Sequence, residues 1–261
     1  MRIGFVGAGN MGGAIIKGYA EEVFVYDSDP EKTDALAALG LPVRIAGSLA
    51  ELAGASEALV LCVKPNVMGE VLDELKELYQ GQLVISIAAG ISIAFIKEKL
   101  GAAAKVVRVM PNTPAMVGEG MSAMSASEGL AESDKAGAEK LFRAVGEAVW
   151  VPEEQMDIVT GISGSSPAYA YLYIEGLVQA GMDNGLTREA ATIMAAQSTL
   201  GAGKMVLENL GQVDPRQLCT NVCSPGGTTI EAVKVLEEAG FTETVKKAAQ
   251  ASADKSKLMT K

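Results

Sequence analysis

Gly7-Ala8-Gly9-Asn10-Met11-Gly12 follows directly on a short apolar run, Ile3-Gly4-Phe5-Val6, and opens a segment in which Met11, Ile15 and Ile16 can share one buried helix face. Strand, glycine turn and helix in that order are the context in which G-x-G-x-x-G has a mechanism. The first glycine permits the tight bend, the second lets backbone approach a pyrophosphate, and the third lets the helix pack close on the strand. The helix start adds unpaired N–H groups and the positive end of a dipole. The bland alternative is a tight strand–helix turn with no ligand. Asp27 ends the next apolar run, where the acid of such a site bonds a ribose 2′-hydroxyl. A carboxylate there favours NADH over a 2′-phosphate, and Ser28 and Lys32 soften that repulsion; an ordinary turn aspartate is the alternative.

The rest of the first half repeats the alternation. Val23-Phe24-Val25-Tyr26, Pro42-Val43-Arg44-Ile45, Ala58-Leu59-Val60-Leu61-Cys62-Val63, Leu83-Val84-Ile85-Ser86-Ile87 and Val106-Val107-Arg108-Val109-Met110 read as strands, and Ala148-Val149-Trp150-Val151 as the last. Helical stretches lie between them, with Pro30 in a first turn and others over residues 67–79 and 92–100. Continuous apolar strands separated by helices predict right-handed crossovers and a sheet covered on both faces. Beyond Val151 the pattern is helical. Pro167 to Asn184 stops at Asn184-Gly185, Thr187 caps a long helix to Leu210, a helix follows from Thr229 to Glu238, and Thr242 caps a last one. The fold class is α/β: a Rossmann-type doubly wound, mostly parallel sheet over residues 1–155, followed by an all-α domain over residues 156–261. Met182, Met194 and Met205 read as core, and Tyr169, Tyr171 and Tyr173 as packing residues.

Charge and composition narrow the chemistry. The 261 residues carry 22 Lys+Arg against 32 Asp+Glu, a net charge of −10, which disfavours nucleic acid and anionic membrane as partners. The absence of histidine removes Ser-His-Asp and Cys-His chemistry and His-ligated metals, and no metal site is expected. Three cysteines, Cys62, Cys219 and Cys223, make no disulfide or zinc pattern and read as reduced thiols. No signal-peptide core or membrane-length apolar run is visible, so a cytoplasmic protein is expected. Gly201-Ala202-Gly203-Lys204 lacks the spacing of a phosphate loop and reads as small residues in a packed helix.

Four further segments stand in a telling order: Cys62-Val63-Lys64-Pro65, Val109-Met110-Pro111-Asn112-Thr113-Pro114, Gly161-Ile162-Ser163-Gly164-Ser165-Ser166-Pro167-Ala168-Tyr169 and Val222-Cys223-Ser224-Pro225-Gly226-Gly227-Thr228-Thr229. With the amino-terminal glycine turn they resemble Δ1-pyrroline-5-carboxylate reductase over nearly the whole chain. The sequence departs from that pattern at Ser166, where the family has glycine. It is shorter between Ala20 and Val23 and longer around Glu208 to Asp214, so no acidic substrate contact is carried over there.

The resemblance implies a cyclic imine carboxylate reduced by hydride from NAD(H) or NADP(H). It implies cofactor contacts along Val6, Gly7, Ala8, Gly9, Asn10, Met11 and Gly12, at Ser28 and Ser48, over Cys62, Val63, Lys64 and Pro65, at Ile87, Ala88 and Ala89, and at Asn221. It places Thr229 at the imine nitrogen. It also implies helical domains that intertwine into a homodimer, often assembled further into a homodecamer. The residues themselves fit these tasks. Two glycines before a helix start expose successive N–H groups, a concavity suited to a carboxylate, so Ser224, Gly226, Gly227, Thr228 and Thr229 are the expected substrate contacts. One of the two threonines also reads as the cap of the following helix. A protonated imine is already electrophilic, so orientation against the nicotinamide is the main requirement. Lys64 reads as a positioned charge, and Asn112 and Thr113 as loop-shaping residues between prolines. A β-hydroxyacid dehydrogenase is a rival, but Pro167 to Tyr173 lacks the lysine that chemistry needs. A non-catalytic NAD(P) sensor is another, and it has no use for the second glycine loop.

Overall fold

The apolar runs of the first half all enter one sheet. In the computed structural model, which describes residues 1–260, the strands are β1 (Ile3–Val6), β2 (Val23–Tyr26), β3 (Val43–Ile45), β4 (Ala58–Leu61), β5 (Leu83–Ser86), β6 (Lys105–Met110), β7 (Gly120–Ala126) and β8 (Gly146–Trp150). Their order is β3-β2-β1-β4-β5-β6-β7-β8. All neighbours are parallel except β6 and β7, which pair antiparallel with Val109 opposite Met124. The order reverses at β1, whose Val6 pairs with Tyr26 of β2 on one side and Leu61 of β4 on the other. Open α/β sheets bind ligands at such a point, beyond the carboxyl ends of the strands.

Helices α1 (Asn10–Tyr19), α2 (Pro30–Ala37), α3 (Leu49–Ala55), α4 (Met68–Lys76), α5 (Ile93–Leu100) and α6 (Glu132–Arg143) cover the two faces. Alternate strand residues feed separate cores, as the two-residue period of a strand requires. Phe5, Val25, Val60, Ile85 and Val107 pack with Ile15, Ile16, Leu141 and Phe142. Leu59, Leu61, Val84 and Val106 pack with Leu52, Leu72, Leu75 and Ile96.

Three elements of the sheet and its covering helices have no counterpart in the sequence reading. Strand β7 is Gly-Met-Ser-Ala-Met-Ser-Ala, with Ser122 and Ser125 buried, so it lacks the β-branched run that marks a strand. Helix α3 is seven residues long and held by its cap, Ser48 accepting from the Glu51 N–H. Helix α6 begins without a side-chain cap.

The chain forms two compact units, residues 1–165 with 250–260, and residues 166–249. The first continues past the sheet through the short helix α7 (Met156–Val159) and a wider π-turn, Thr160–Gly164. The second holds α8 (Ser166–Asp183), α9 (Arg188–Glu208), α10 (Pro215–Asn221), α11 (Thr228–Glu238) and the start of α12 (Phe241–Met259). Thr187 caps α9 by accepting from the Ala190 N–H, as its sequence predicts. Thr242 does not cap α12, because the helix already begins at Phe241.

In the second unit Met182, Met194 and Met205 are exposed rather than core, as are Tyr171, Ile193 and Leu207, and Leu172 is 76% exposed. Only Val178, Ala191 and Ala195 form a buried cluster there. The misreading has a simple cause. Helices α8 and α9 are apolar on more faces than one unit can cover, and an apolar residue in a sequence does not say which partner covers it. Among the described residues no helix is long and apolar enough to cross a membrane.

Candidate active site

The glycine turn is built by internal packing at two of its glycines and by openness at the third. Gly7 has φ +106°, and a Cβ there would lie 2.9 Å from the Cys62 carbonyl oxygen. A Cβ on Gly12 would lie 2.6 Å from the Gly7 oxygen and 3.2 Å from the Cys62 Cβ. Both positions therefore need glycine for the fold itself. Gly9 does not: its φ is −68° and a Cβ would meet no atom within 4 Å. No contact of a Cβ at this position accounts for a glycine here. Helix α1 starts at Asn10 with no side-chain cap and no acidic residue in its first turn, leaving its first N–H groups for an anion.

Asp27 stands where the sequence places it, at the end of β2, but its oxygens are already engaged. Oδ2 accepts from the Ala8 N–H at 2.7 Å, and Oδ1 accepts from the Asp29 N–H at 2.9 Å and from Lys32 Nζ at 3.3 Å. Burial by itself would raise the pKa of this carboxyl. The two amides and the Lys32 ammonium outweigh it and hold the group below the usual aspartate range. A carboxyl with a depressed folded-state pKa stabilises the fold above its unfolded pKa, and that contribution fades as pH falls toward the folded value. Asp27→Asn should accordingly cost stability near neutrality, and the gap in urea midpoint from wild type should shrink as pH falls below the usual aspartate range and Asp27 gains a proton. A gap independent of pH would contradict this.

The other predicted cofactor contacts gather along the same strand ends. Val6, Gly7, Tyr26, Asp27, Ser28 and Val63 line one hollow of about 130 Å³ at the carboxyl ends of β1, β2 and β4. Ser48 begins α3 after β3, its hydroxyl accepting from Glu51. Cys62 lies under Gly7 and Gly12, and burial pushes its thiol pKa far up, which makes it an inert packing group. Lys64 is exposed, with its carbonyl accepting from the Val67 N–H. Ile87, Ala88 and Ala89 follow β5, and the adjoining Gly90 (φ +73°) leaves no room for a Cβ beside the Met259 carbonyl oxygen, 2.8 Å away.

Asn112 is the clamp of this edge. Its Oδ1 accepts from the Met121 N–H at 2.8 Å, and its Nδ2 donates to the Ser163 carbonyl at 3.0 Å. The sequence reading had it shaping a loop between prolines; its tie to the π-turn at Ser163 is new, since a bond across so many residues leaves no local signature. Asn112→Ala leaves the part-buried Met121 amide and Ser163 carbonyl without these partners and should cost about 1–2 kcal/mol, read as a lower urea midpoint. An unchanged midpoint would show that the clamp carries no load.

In the second unit, Ser224-Pro225-Gly226-Gly227 closes a β-turn. The Gly227 N–H donates to the Ser224 carbonyl at 3.0 Å, and Gly226 has φ +69°, as a Pro-Gly turn of type II requires. A Cβ on Gly227 would collide with Ser224 Oγ. Helix α11 begins at Thr228 with Gly227 as its cap and no side-chain capping bond. Neither threonine is the cap, contrary to the sequence reading, because the turn delivers Gly227 to that position. The Gly227 amide is also spent inside the turn. The N–H groups left for an anion are those of the first turn of α11, Thr228 and Thr229 among them, and both threonines are exposed. Asn221 ends α10 with its Oδ1 accepting from Gln217 Nε2. Arg216 of α10 forms an exposed ion pair with Glu237 of α11 between the two helices that flank the turn.

Comparison with known proteins decides the family. The chain is 40% identical over 268 residues to pyrroline-5-carboxylate reductase of Escherichia coli K12, covering 100% of this chain and 98% of the relative. The chain belongs to the pyrroline-5-carboxylate reductase family. Residues 153–259 match the family described as pyrroline-5-carboxylate reductase dimerisation, and residues 2–90 match that described as NADP oxidoreductase, coenzyme F420-dependent. A pyrroline-5-carboxylate reductase structure from Coxiella burnetii superposes with a TM-score of 0.93 at 36% identity, covering 100% of this chain and 98% of the other. The Plasmodium falciparum pyrroline carboxylate reductase with NADP bound superposes with a TM-score of 0.87 at 35% identity, with the same coverage. The shared pattern therefore runs through both glycine loops and the exposed apolar helices alike.

Proposed function

We propose that this chain reduces 1-pyrroline-5-carboxylate to L-proline with hydride from NADPH or NADH, the last step of proline synthesis. The observation that carries the reading is the pair of glycine loops within a full-length family match. Gly9 is small for no internal reason, and the first turn of α11 is free of any side-chain cap. Residues 1–155 serve as the dinucleotide domain on this reading, and residues 156–261 as the substrate and subunit-contact domain.

The amides opening α1 hold the pyrophosphate, with Val6, Gly7, Ala8, Asn10, Met11 and Gly12 shaping the turn. Ser28 and Ser48 serve the ribose and adenine side, next to Asp27 at the end of β2. Cys62, Val63, Lys64, Pro65, Ile87, Ala88, Ala89 and Asn221 serve the nicotinamide side. The bound dinucleotide supplies the hydride. Free N–H groups of Thr228 and Thr229 bind the substrate carboxylate, and Ser224, Gly226 and Gly227 give the turn that aims them. The Thr229 hydroxyl hydrogen-bonds the ring nitrogen as it becomes an amine. With the imine protonated, no strong acid is needed, which suits a chain without histidine.

The exposed apolar faces of α8 and α9 support a homodimer built on the helical unit, as does the match to a dimerisation family. We extend this to dimers gathered into a decamer, working in the cytoplasm, where its three free cysteines stay reduced. The functional test is loss of nicotinamide absorbance on adding the cyclic imine. Oxidation of either dinucleotide is expected. No oxidation would favour a dinucleotide sensor.

A further inference from the structure

The sequence motif assigns the acid after the second strand to the ribose 2′-hydroxyl, but the geometry points to another task. We propose that Asp27 is a positioning residue that holds the phosphate-binding turn through the Ala8 amide and does not read the ribose. This rests on the dinucleotide reading of the glycine turn given above.

Two successive amides of the turn are tied to two successive residues at the end of β2. The Gly7 N–H donates to the Tyr26 carbonyl at 2.8 Å, and the Ala8 N–H donates to Asp27 Oδ2 at 2.7 Å. The next residue, Gly9, is the one left open. The carboxylate thus sets where the open backbone lies. Its other oxygen is occupied by the Asp29 N–H and by Lys32, which also approaches Asp29 Oδ2 at 3.5 Å. The Asp27 side chain is only 8% exposed. A carboxylate offers about four acceptor positions, and the Ala8 and Asp29 amides and the Lys32 ammonium take three of them. Its charge is balanced by Lys32 and two amide donors, so it is a poor discriminator against a 2′-phosphate. The chain therefore accepts a 2′-phosphate or a 2′-hydroxyl with little penalty from this residue.

The test compares wild type with Asp27→Asn, using NADH, NADPH and 2′-deoxy-NADH as titrants. Asparagine keeps the shape but must turn an NH2 group toward one of the two backbone donors. The account expects affinity for all three to fall by a common factor of about tenfold. Turnover at saturating dinucleotide should stay within about twofold of wild type, with the loss confined to KM; a general loss of folded protein would lower kcat instead. A factor that disappears with 2′-deoxy-NADH would place Asp27 on the ribose and overturn the proposal, by the logic of a double-mutant cycle. A gain in NADPH affinity, or no loss for any titrant, would overturn it too. Should the asparagine variant fail to fold, the Ser28→Ala protein gives an independent reading. There NADH and 2′-deoxy-NADH should bind within about threefold of each other, and a tenfold or larger gap would refute the assignment. If wild type bound none of the titrants, the dinucleotide reading would fall and this assignment with it; a selective response alongside intact wild-type binding would remove this assignment alone.

Discussion

Gly9→Val should lower dinucleotide affinity by about 100-fold or more while leaving the protein folded. The expectation combines two facts. A Cβ at this position meets no atom within 4 Å, and the φ of −68° is one that valine adopts freely. The fold should therefore lose little more than the small cost of a poor helix cap, about 1 kcal/mol. The side chain would instead stand where the pyrophosphate must approach the backbone. Gly7 and Gly12 make the contrast. Side chains there would strike the Cys62 carbonyl and the Gly7 oxygen, so their replacement should lower the melting temperature as well as binding. Calorimetric titration with NADPH alongside thermal unfolding separates the two kinds of glycine. A Gly9→Val protein that binds as wild type does would remove the phosphate role from this turn.

Thr229→Ala should lower kcat by about 100-fold with dinucleotide affinity unchanged. The helix should not suffer, because α11 is capped by Gly227 and not by a threonine hydroxyl. On the proposed reading what disappears is the hydroxyl that bonds the ring nitrogen as the imine becomes an amine, so the effect belongs in turnover. Thr229→Ser keeps the hydroxyl and should recover most of the rate. Equal losses of turnover and dinucleotide binding would make the loop a structural element, and full activity of the alanine variant would take Thr229 out of the reaction.

Much of this was legible from residue order. Strands β1, β2, β4, β5 and β6 announce themselves as apolar runs because both faces of each are covered. The glycine turn announces itself because two of its glycines are dictated by Cys62 and by Gly7. Strand β7 was hidden by its small and hydroxyl residues, whose burial depends on neighbours far away in sequence. The cap of α11 was hidden because the choice between Gly227 and the threonines is made by the turn at Ser224, a matter of backbone geometry. Asp27 shows the same limit at the site. Its position was readable, but its bond to Ala8 joins residues that follow different strands and leaves no pattern in either segment. The exposed methionines of α8 and α9 show it at the surface, where apolar composition does not distinguish a core from a face awaiting another subunit.

The most direct measurement follows the hydride itself. Wild-type protein is given 1-pyrroline-5-carboxylate and NADPH carrying deuterium at the transferable position of the nicotinamide, and the product is read by mass spectrometry and proton NMR. The account predicts L-proline with one deuterium on the δ carbon for each dinucleotide oxidised. Dinucleotide oxidised without labelled proline, or no oxidation at all, would contradict it.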